Sequence, residues 1–339
     1  MEEPNVRTMA VELALLPRSA CEALVARAMA AASALPAPRE GVAFRVFWSR
    51  DGMGDATLER ELAFADLHVD DHLVVGRHTS SDVHLSDPSA ALRHLLLTVR
   101  RPIAAREGAA ASGPALVVHD LATDHGFRVG LPQTFSRGVV AEGATILGVA
   151  SELLVALPTT EQGPDDTSAL RPLVVEADPV GVRTIPVELP ALAVRSQMTA
   201  ISRTQVRSLE PPLAVEIVPS RDEPWVRLSL RGPGGRVVVE VSEDDLASPV
   251  LVGRYPRCRR GELSPFSMNV SRVHAALVRD GDAIRVIDLA STNGLATRTG
   301  KGRREPARAI RVTSRASISL GSRDDRLEVQ ILRPARVAR

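Results

Sequence analysis

A short motif that occurs twice constrains this chain more than any other feature of it. Leu73-Val74-Val75-Gly76-Arg77 returns 177 residues later as Val250-Leu251-Val252-Gly253-Arg254, and Val118-His119-Asp120-Leu121-Ala122 returns 168 residues later as Val286-Ile287-Asp288-Leu289-Ala290. Two units with the same landmarks in the same order, separated by one change of length, are a duplicated domain. The 339 residues suit this, at a prior of about 150 residues per domain. Each unit is a series of short β-branched runs broken by Gly, Pro, Asp and Ser. In the second, strands are expected at 225–231, 236–241, 249–254, 273–279, 283–288 and 326–332, with turns at Gly232-Pro233-Gly234-Gly235 and Asp280-Gly281-Asp282. No helical period of useful length intervenes, so the expected class is all-β: two antiparallel β-sandwiches and not a parallel α/β sheet. The expected order is an N-terminal segment over 1–40, a first sandwich over 41–158, a Pro-rich linker over 159–210 and a second sandwich over 211–335. The Ala-rich stretch 18–35 behind Pro17 predicts one short helix.

Composition removes several alternatives. Two cysteines, Cys21 and Cys258, are too few for a disulfide framework or a multi-Cys zinc site. No apolar run approaches eighteen residues, so no membrane span is expected. The N-terminus lacks the basic flank and apolar core of a secretory signal, which points to the cytoplasm. Through residue 209 the chain has 19 basic and 25 acidic side chains; from 210 onward it has 23 and 16, so the second half should attract anions. Use of Arg over Lys, with abundant Ala, Val and Leu, fits a GC-rich bacterial source.

The residues able to do chemistry gather in the second unit at expected strand ends and loops, where a rigid sandwich presents its recognition groups. They are Gly253-Arg254, Ser271-Arg272-Val273-His274 and Asp288-Leu289-Ala290-Ser291-Thr292-Asn293-Gly294. A phosphoryl group carries about −1.5 to −2 charge and three acceptor oxygens. Arg254 offers a planar fork of donors, and Ser271 and Thr292 offer hydroxyls, each charge-assisted bond contributing about 1.5–3 kcal/mol.

This ordered set resembles the forkhead-associated (FHA) domain, with a Gly-Arg at a strand end, a Ser-Arg-x-His and an Asn-Gly. Ile318-Ser319-Leu320-Gly321 and Leu327-Glu328-Val329 resemble the family's closing strand pair. The resemblance implies that Arg254, Ser271 and Thr292 contact phosphate, with Arg272 in the same peptide-binding set, and that Asn293 holds the peptide main chain. It further implies that Gly253, His274 and Gly294 are structural, His274 buttressing the loops and Gly294 permitting a positive φ. Preference for phosphothreonine is likewise an implication of the family. The first unit departs from the pattern. Aligning His94 with His274 places Ala91 and Leu92 opposite Ser271 and Arg272, and aligning Gly126 with Gly294 places Asp124 and His125 opposite Thr292 and Asn293. A carboxylate would repel the dianion, so this unit is expected to be a structural or docking sandwich.

Other features are weaker. Seven of the eight histidines lie in the first unit, among them His68, His72, His78 and His84; on strands and loops they are expected to be a dispersed, solvated set and no metal site. Arg257-Cys258-Arg259-Arg260 and Lys301-Gly302-Arg303-Arg304 would rim the pocket and favour acidic neighbours of a phosphothreonine. Nucleic acid is disfavoured, since aromatics are 3% of the chain and no reading helix is evident. No catalytic or cofactor motif is present, so neither an enzyme nor a cofactor is expected.

These observations point to a phosphothreonine-dependent adaptor in bacterial Ser/Thr kinase signalling, its partners a threonine-phosphorylated protein and the kinase. The alternative is a phospho-independent structural subunit of a secretion or contractile apparatus. Thr167, after Asp165-Asp166 and three residues before Leu170, is the expected regulatory phosphosite, through which the second unit would bind its own linker; Thr159, Thr160 and Thr184 are rivals.

Overall fold

The computed structural model describes residues 18–49, 62–101, 114–123, 126–130, 134–141, 143–159, 182–184, 216–218, 223–255, 258, 265–298 and 304–332. Among these residues the strands form four sheets. In the first unit one sheet runs, in spatial order, Leu62–His68, Val42–Ser49, Glu152–Pro158, Thr145–Val149, Phe127–Val129 and Thr134–Ser136. The other runs Val182–Thr184, Gly138–Ala141, Ala115–Asp120, Leu95–Arg100, His72–Gly76 and Val83–His84. In the second unit a larger sheet runs Glu216–Val218, Gly235–Ser242, Pro224–Gly232, Arg326–Ile331, Arg315–Leu320, Leu295–Arg298 and Arg304–Ala307. It faces a smaller one of Val250–Val252, Ala275–Asp280, Ala283–Asp288 and Ala309–Val312. The all-β expectation holds. Pairing is antiparallel except where Val83–His84 joins His72–Gly76 and Glu216–Val218 joins Gly235–Ser242.

The six strands expected in the second unit appear within two residues of their expected ends. Leu295–Arg298, Arg304–Ala307 and Ala309–Val312 were not anticipated; they are short, Arg-rich and without an apolar run, and neighbouring strands create them. From the linker, Val182–Thr184 adds an edge to the first unit by pairing with Gly138–Ala141. Thr160 and Thr167 lie outside the described residues, as do Asp124, His125 and most of the two basic clusters.

The helix Arg18–Ala34 buries Cys21, Leu24 and Ala28, spaced three and four apart, against Phe47, Ile146, Leu153, Val155 and Leu157. That cover explains why Val42–Ser49 is buried at every position: one side chain faces the sandwich core and the next faces the helix. None of the helices among the described residues is long and apolar enough to cross a membrane.

The outer face of the other first-unit sheet is covered by the second unit. Val74, Leu96 and Leu121 join Leu251, Ala276, Ile287 and Leu289 in one buried cluster. The register is duplicated with the sequence: Val74, Leu96 and His119 lie side by side across one sheet, and Leu251, Ala276 and Ile287 across the other. The molecule is thus a stack of helix, two sheets, and two sheets more, with an apolar seam at each joint. Burial of each large aliphatic side chain in such a seam contributes about 1.5–3 kcal/mol. Arg308 Nη2 to Asp82 Oδ1 at 2.6 Å and Arg285 to Asp70 at 3.7 Å flank this joint.

The histidine expectation needs correction. His72, His94 and His119 are buried, not solvated. His72 sits on the sheet face turned to the second unit, and neither of its ring nitrogens has a hydrogen-bond partner. Burial, with Arg308 adding to it, pushes His72 from 6.5 down to about 4, and burial does the same to His119. Docking of the second sandwich, invisible to local sequence, is what removes these rings from water. No group of three metal-ligating side chains is found among the described residues.

Candidate functional site

The loops that carry the motifs converge at one end of the second sandwich because backbone bonds tie them there. Arg254 N–H donates to the Ser271 carbonyl (3.3 Å) and Tyr255 N–H to that of Arg272 (2.9 Å). This approach is why residue 253 is Gly: a Cβ there would stand 2.2 Å from the Arg272 carbonyl oxygen. Gly76 repeats the arrangement, its virtual Cβ 2.4 Å from the Leu92 oxygen.

Arg254 is aimed by its own chain. Its Nε donates to the Val270 carbonyl at 2.5 Å, and Nη1 lies 2.9 Å from Met268 Sδ, leaving the guanidinium half-exposed at the surface. Met268 is 81% exposed, the most exposed of the large apolar side chains described, and it borders this cation. Ser271 Oγ accepts the Thr292 N–H at 3.1 Å, and Asn293 Nδ2 donates to the Asn269 carbonyl at 2.8 Å. Arg254, Ser271, Thr292 and Asn293 are therefore joined through the 268–271 loop. Arg272, Thr292 and Asn293 are exposed and Ser271 is half-buried.

His274 lies behind this surface, fully buried. Its Nδ1 accepts the Ser271 N–H at 3.0 Å, and that fixes the tautomer: Nε2 carries the proton and meets the Gly294 carbonyl and Ser291 Oγ, each at 3.1 Å. Burial pushes His274 from 6.5 to about 4, with the nearby Arg93 charge acting in the same direction against the Gly294 carbonyl, which favours the charged form. A neutral ring is what the geometry requires. Gly294 has φ +68, and Ala290, without a glycine's freedom, has φ +50.

Sequence reasoning missed three supports. Ser291 Oγ donates to Asp288 Oδ1 at 2.5 Å and accepts the Gly294 N–H at 3.0 Å, closing the turn that presents Thr292 and Asn293. Asp325 accepts the Ser267 N–H (2.7 Å) and hydroxyl (2.5 Å), anchoring the loop that braces Arg254. Asn269 supplies the carbonyl for Asn293. The signal for the first was present in the repeat, where Asp120 and Thr123 stand opposite Asp288 and Ser291.

The first unit reproduces this scaffold bond for bond. His94 Nδ1 accepts the Ala91 N–H at 3.1 Å and Nε2 meets the Gly126 carbonyl at 2.7 Å. Thr123 Oγ1 donates to Asp120 at 2.5 Å and accepts the Gly126 N–H at 3.1 Å. Arg77 Nε reaches the Ala90 carbonyl at 3.2 Å, and Glu152 holds Ser86 and Asp87 as Asp325 holds Ser267. What differs is the exposed layer: Ala91 brings no hydroxyl where Ser271 has one. The second unit can offer a cation, two hydroxyls and an amide to an anionic oxygen ligand, while the first keeps the cation and the scaffold.

The buried neutral rings set an acid limit. The folded values of His72, His119 and His274 lie near 4, below the 6.5 of an unfolded chain, so the unfolded state binds more protons as pH falls from 6.5 toward 4. What these rings contribute is full above 6.5 and declines through that window, each ring raising the unfolding constant about tenfold per pH unit. Denaturant titrations at pH 7.5, 6 and 5 should show the decline. His119→Ile, which copies Ile287 of the other unit, should make the slope shallower. A flat profile in both proteins would contradict the assignment.

A sequence model described as the FHA domain matches residues 250–321. No match to a curated protein is found. Among solved structures, FHA-1 of Mycobacterium tuberculosis Rv1747 is 23% identical, covering 32% of this chain and 99% of that one, with a TM-score of 0.23. The Slr1951 protein from Synechocystis sp. is 25% identical over 32% of this chain and 99% of its own, with a TM-score of 0.26. The yeast Dun1 FHA domain, solved with a doubly phosphorylated peptide, is 10% identical over 50% of this chain and 95% of its own, with a TM-score of 0.27. The stretch from Val250 to Gly321, which holds the Gly-Arg, Ser-Arg-x-His and Asn-Gly loops on one bonded scaffold, is an FHA domain.

Proposed function

We propose that the chain is a protein-binding adaptor whose second sandwich docks a threonine-phosphorylated partner, with the first sandwich serving as a docked support and not as a reader. The observation that carries this reading is the bonded cluster of Arg254, Ser271, Thr292 and Asn293 around a neutral His274. A dianionic phosphate with three acceptor oxygens suits one fixed cation and short neutral donors. In this reading Arg254, Ser271 and Thr292 meet the phosphate, Arg272 lies beside it, and Asn293 orients the peptide backbone. Gly253, His274 and Gly294 hold the loops. The domains follow as 41–158 and 211–335, with 159–210 between them, and binding rather than catalysis is the activity. The partner belongs to Ser/Thr kinase signalling, and the adaptor acts in the cytoplasm.

Fluorescence anisotropy of the full chain against phosphothreonine and unphosphorylated peptide pools tests this. Saturable binding that needs the phosphate supports the adaptor. Equal or absent binding of both pools overturns it in favour of a phospho-independent structural subunit. Thr167 enters as a modification site through mass spectrometry: phosphorylation there after co-expression with a cognate kinase supports closure of the second unit on its own linker, and an unmodified linker removes it.

A further inference from the structure

The loop that presents Thr292 and Asn293 is held from two sides, and one of them belongs to the other unit. From within the second unit, Leu289 N–H donates to the His274 carbonyl at 2.9 Å, and the Asp288 carboxylate takes Ser291 N–H (3.3 Å) and Oγ (2.5 Å). Between these points Ala290 is in the left-handed region at φ +50, as its counterpart Ala122 is at φ +55, so the turn takes this form in both units. The carbonyls at that turn point toward the first unit. There Arg93 Nε donates to the Leu289 oxygen, and Nη2 donates to the Ala290 oxygen at 2.6 Å.

Arg93 is the residue before His94, so its counterpart in the second unit is Val273, before His274. Valine has no donor and packs in the apolar seam instead. The side-chain grip on this loop therefore runs from the unit that lacks the serine and threonine to the unit that has them. Burial lowers Arg93 from the usual guanidinium range while the Asp288 charge opposes it, consistent with a cation drawn out of water toward this loop. The joint between the sandwiches seats Arg93 there: Leu96 of the same segment and Leu289 of the loop share the buried cluster.

We infer that Arg93 of the first unit is a positioning residue for the ligand-binding loop of the second, making the reader a composite of both sandwiches. This rests on the functional reading above. The first unit then has a role without a ligand of its own: it holds the 289–294 loop in the form that binds, so the loop does not have to be ordered when the peptide arrives.

The test uses the full chain with a labelled phosphothreonine peptide pool, and hydrogen exchange over 288–295 as a second readout. Arg93→Met keeps the aliphatic stem and removes the donors. It is expected to weaken binding by about five- to tenfold and to speed exchange in the loop, with exchange over 95–100 unchanged. Arg93→Lys should recover binding to within about threefold of the parent, and Leu96→Ala, which trims the same joint but leaves the Arg93 donors in place, should stay within about twofold. Parental affinity and parental loop exchange in Arg93→Met would overturn the inference, as would an equal loss in Leu96→Ala. If the parent chain binds no phosphothreonine peptide, the adaptor reading fails by itself. Loop exchange in Arg93→Met then still decides whether Arg93 positions the loop, acceleration supporting it and no change refuting it.

Discussion

Arg254→Ala is expected to reduce phosphothreonine-peptide binding at least about a hundredfold, while Arg77→Ala leaves it within about twofold of the parent. Each charge-assisted bond from a guanidinium contributes about 1.5–3 kcal/mol, and loss of two such bonds exceeds a factor of one hundred. The Arg254 neighbours Met268 and Val270 contribute a thioether and a carbonyl, neither of which attracts an anion. Arg77 makes the same backbone bond, to Ala90, but beside Ala91 in place of a serine. Its removal should therefore leave phosphate binding untouched. Anisotropy titrations of both variants decide the matter, and equal losses would show that the two units share the ligand. Arg254 is half-exposed and its hydrogen bond serves its own orientation, so Arg254→Ala should melt close to the parent. A loss of binding would then report the ligand contact and not the fold.

Gly253→Ala is expected to destabilise the second sandwich by about 3 kcal/mol or more, a large fraction of the stability of an ordinary domain. The added methyl would meet the Arg272 carbonyl oxygen at 2.2 Å and the Ser271 carbonyl oxygen at 3.0 Å, both of them backbone that cannot swing aside. Relief requires separating the strand end from the 271–272 loop, which breaks the bonds from Arg254 N–H and Tyr255 N–H. Ligand affinity should fall with stability, since Ser271 moves with that loop. Chemical denaturation measures the effect, and a change under about 0.5 kcal/mol would show that the approach relaxes freely. Gly76→Ala should behave alike in the first unit, where the Leu92 carbonyl takes the place of Arg272's.

These two residues show how the legible and the illegible divide. Arg254 could be singled out from the chain because its partners in chemistry, Ser271, Thr292 and Asn293, occur in a recognisable order with Gly and Asp marking the turns. The need for Gly at 253 could be read only as a pattern, because the atom that forbids a side chain is the Arg272 carbonyl, brought close by a pairing between strands. Asp325 and Asn269 were missed for the same reason. Each acts through a single bond to a loop distant in sequence, and an isolated Asp or Asn carries no local mark of such a bond. The three short Arg-bearing strands over 295–312 escaped because their pairing comes from neighbours and not from an apolar run.

By itself the sequence determined the duplication, the all-β class, the strands with apolar runs, and which copy keeps the Gly-Arg, Ser-Arg-x-His and Asn-Gly motifs. These depend on side-chain chemistry and on periodicities of a few residues, which survive in a linear text. Only the tertiary structure decided that the copies dock through the outer faces of equivalent sheets, that His72 and His119 are thereby buried, and that Arg93 reaches the carbonyls of Leu289 and Ala290. The consecutive buried residues Leu95, Leu96 and Leu97 hinted at a strand covered on both faces. What covers the second face depends on shape matching between surfaces some two hundred residues apart along the chain, and no local pattern encodes that complementarity.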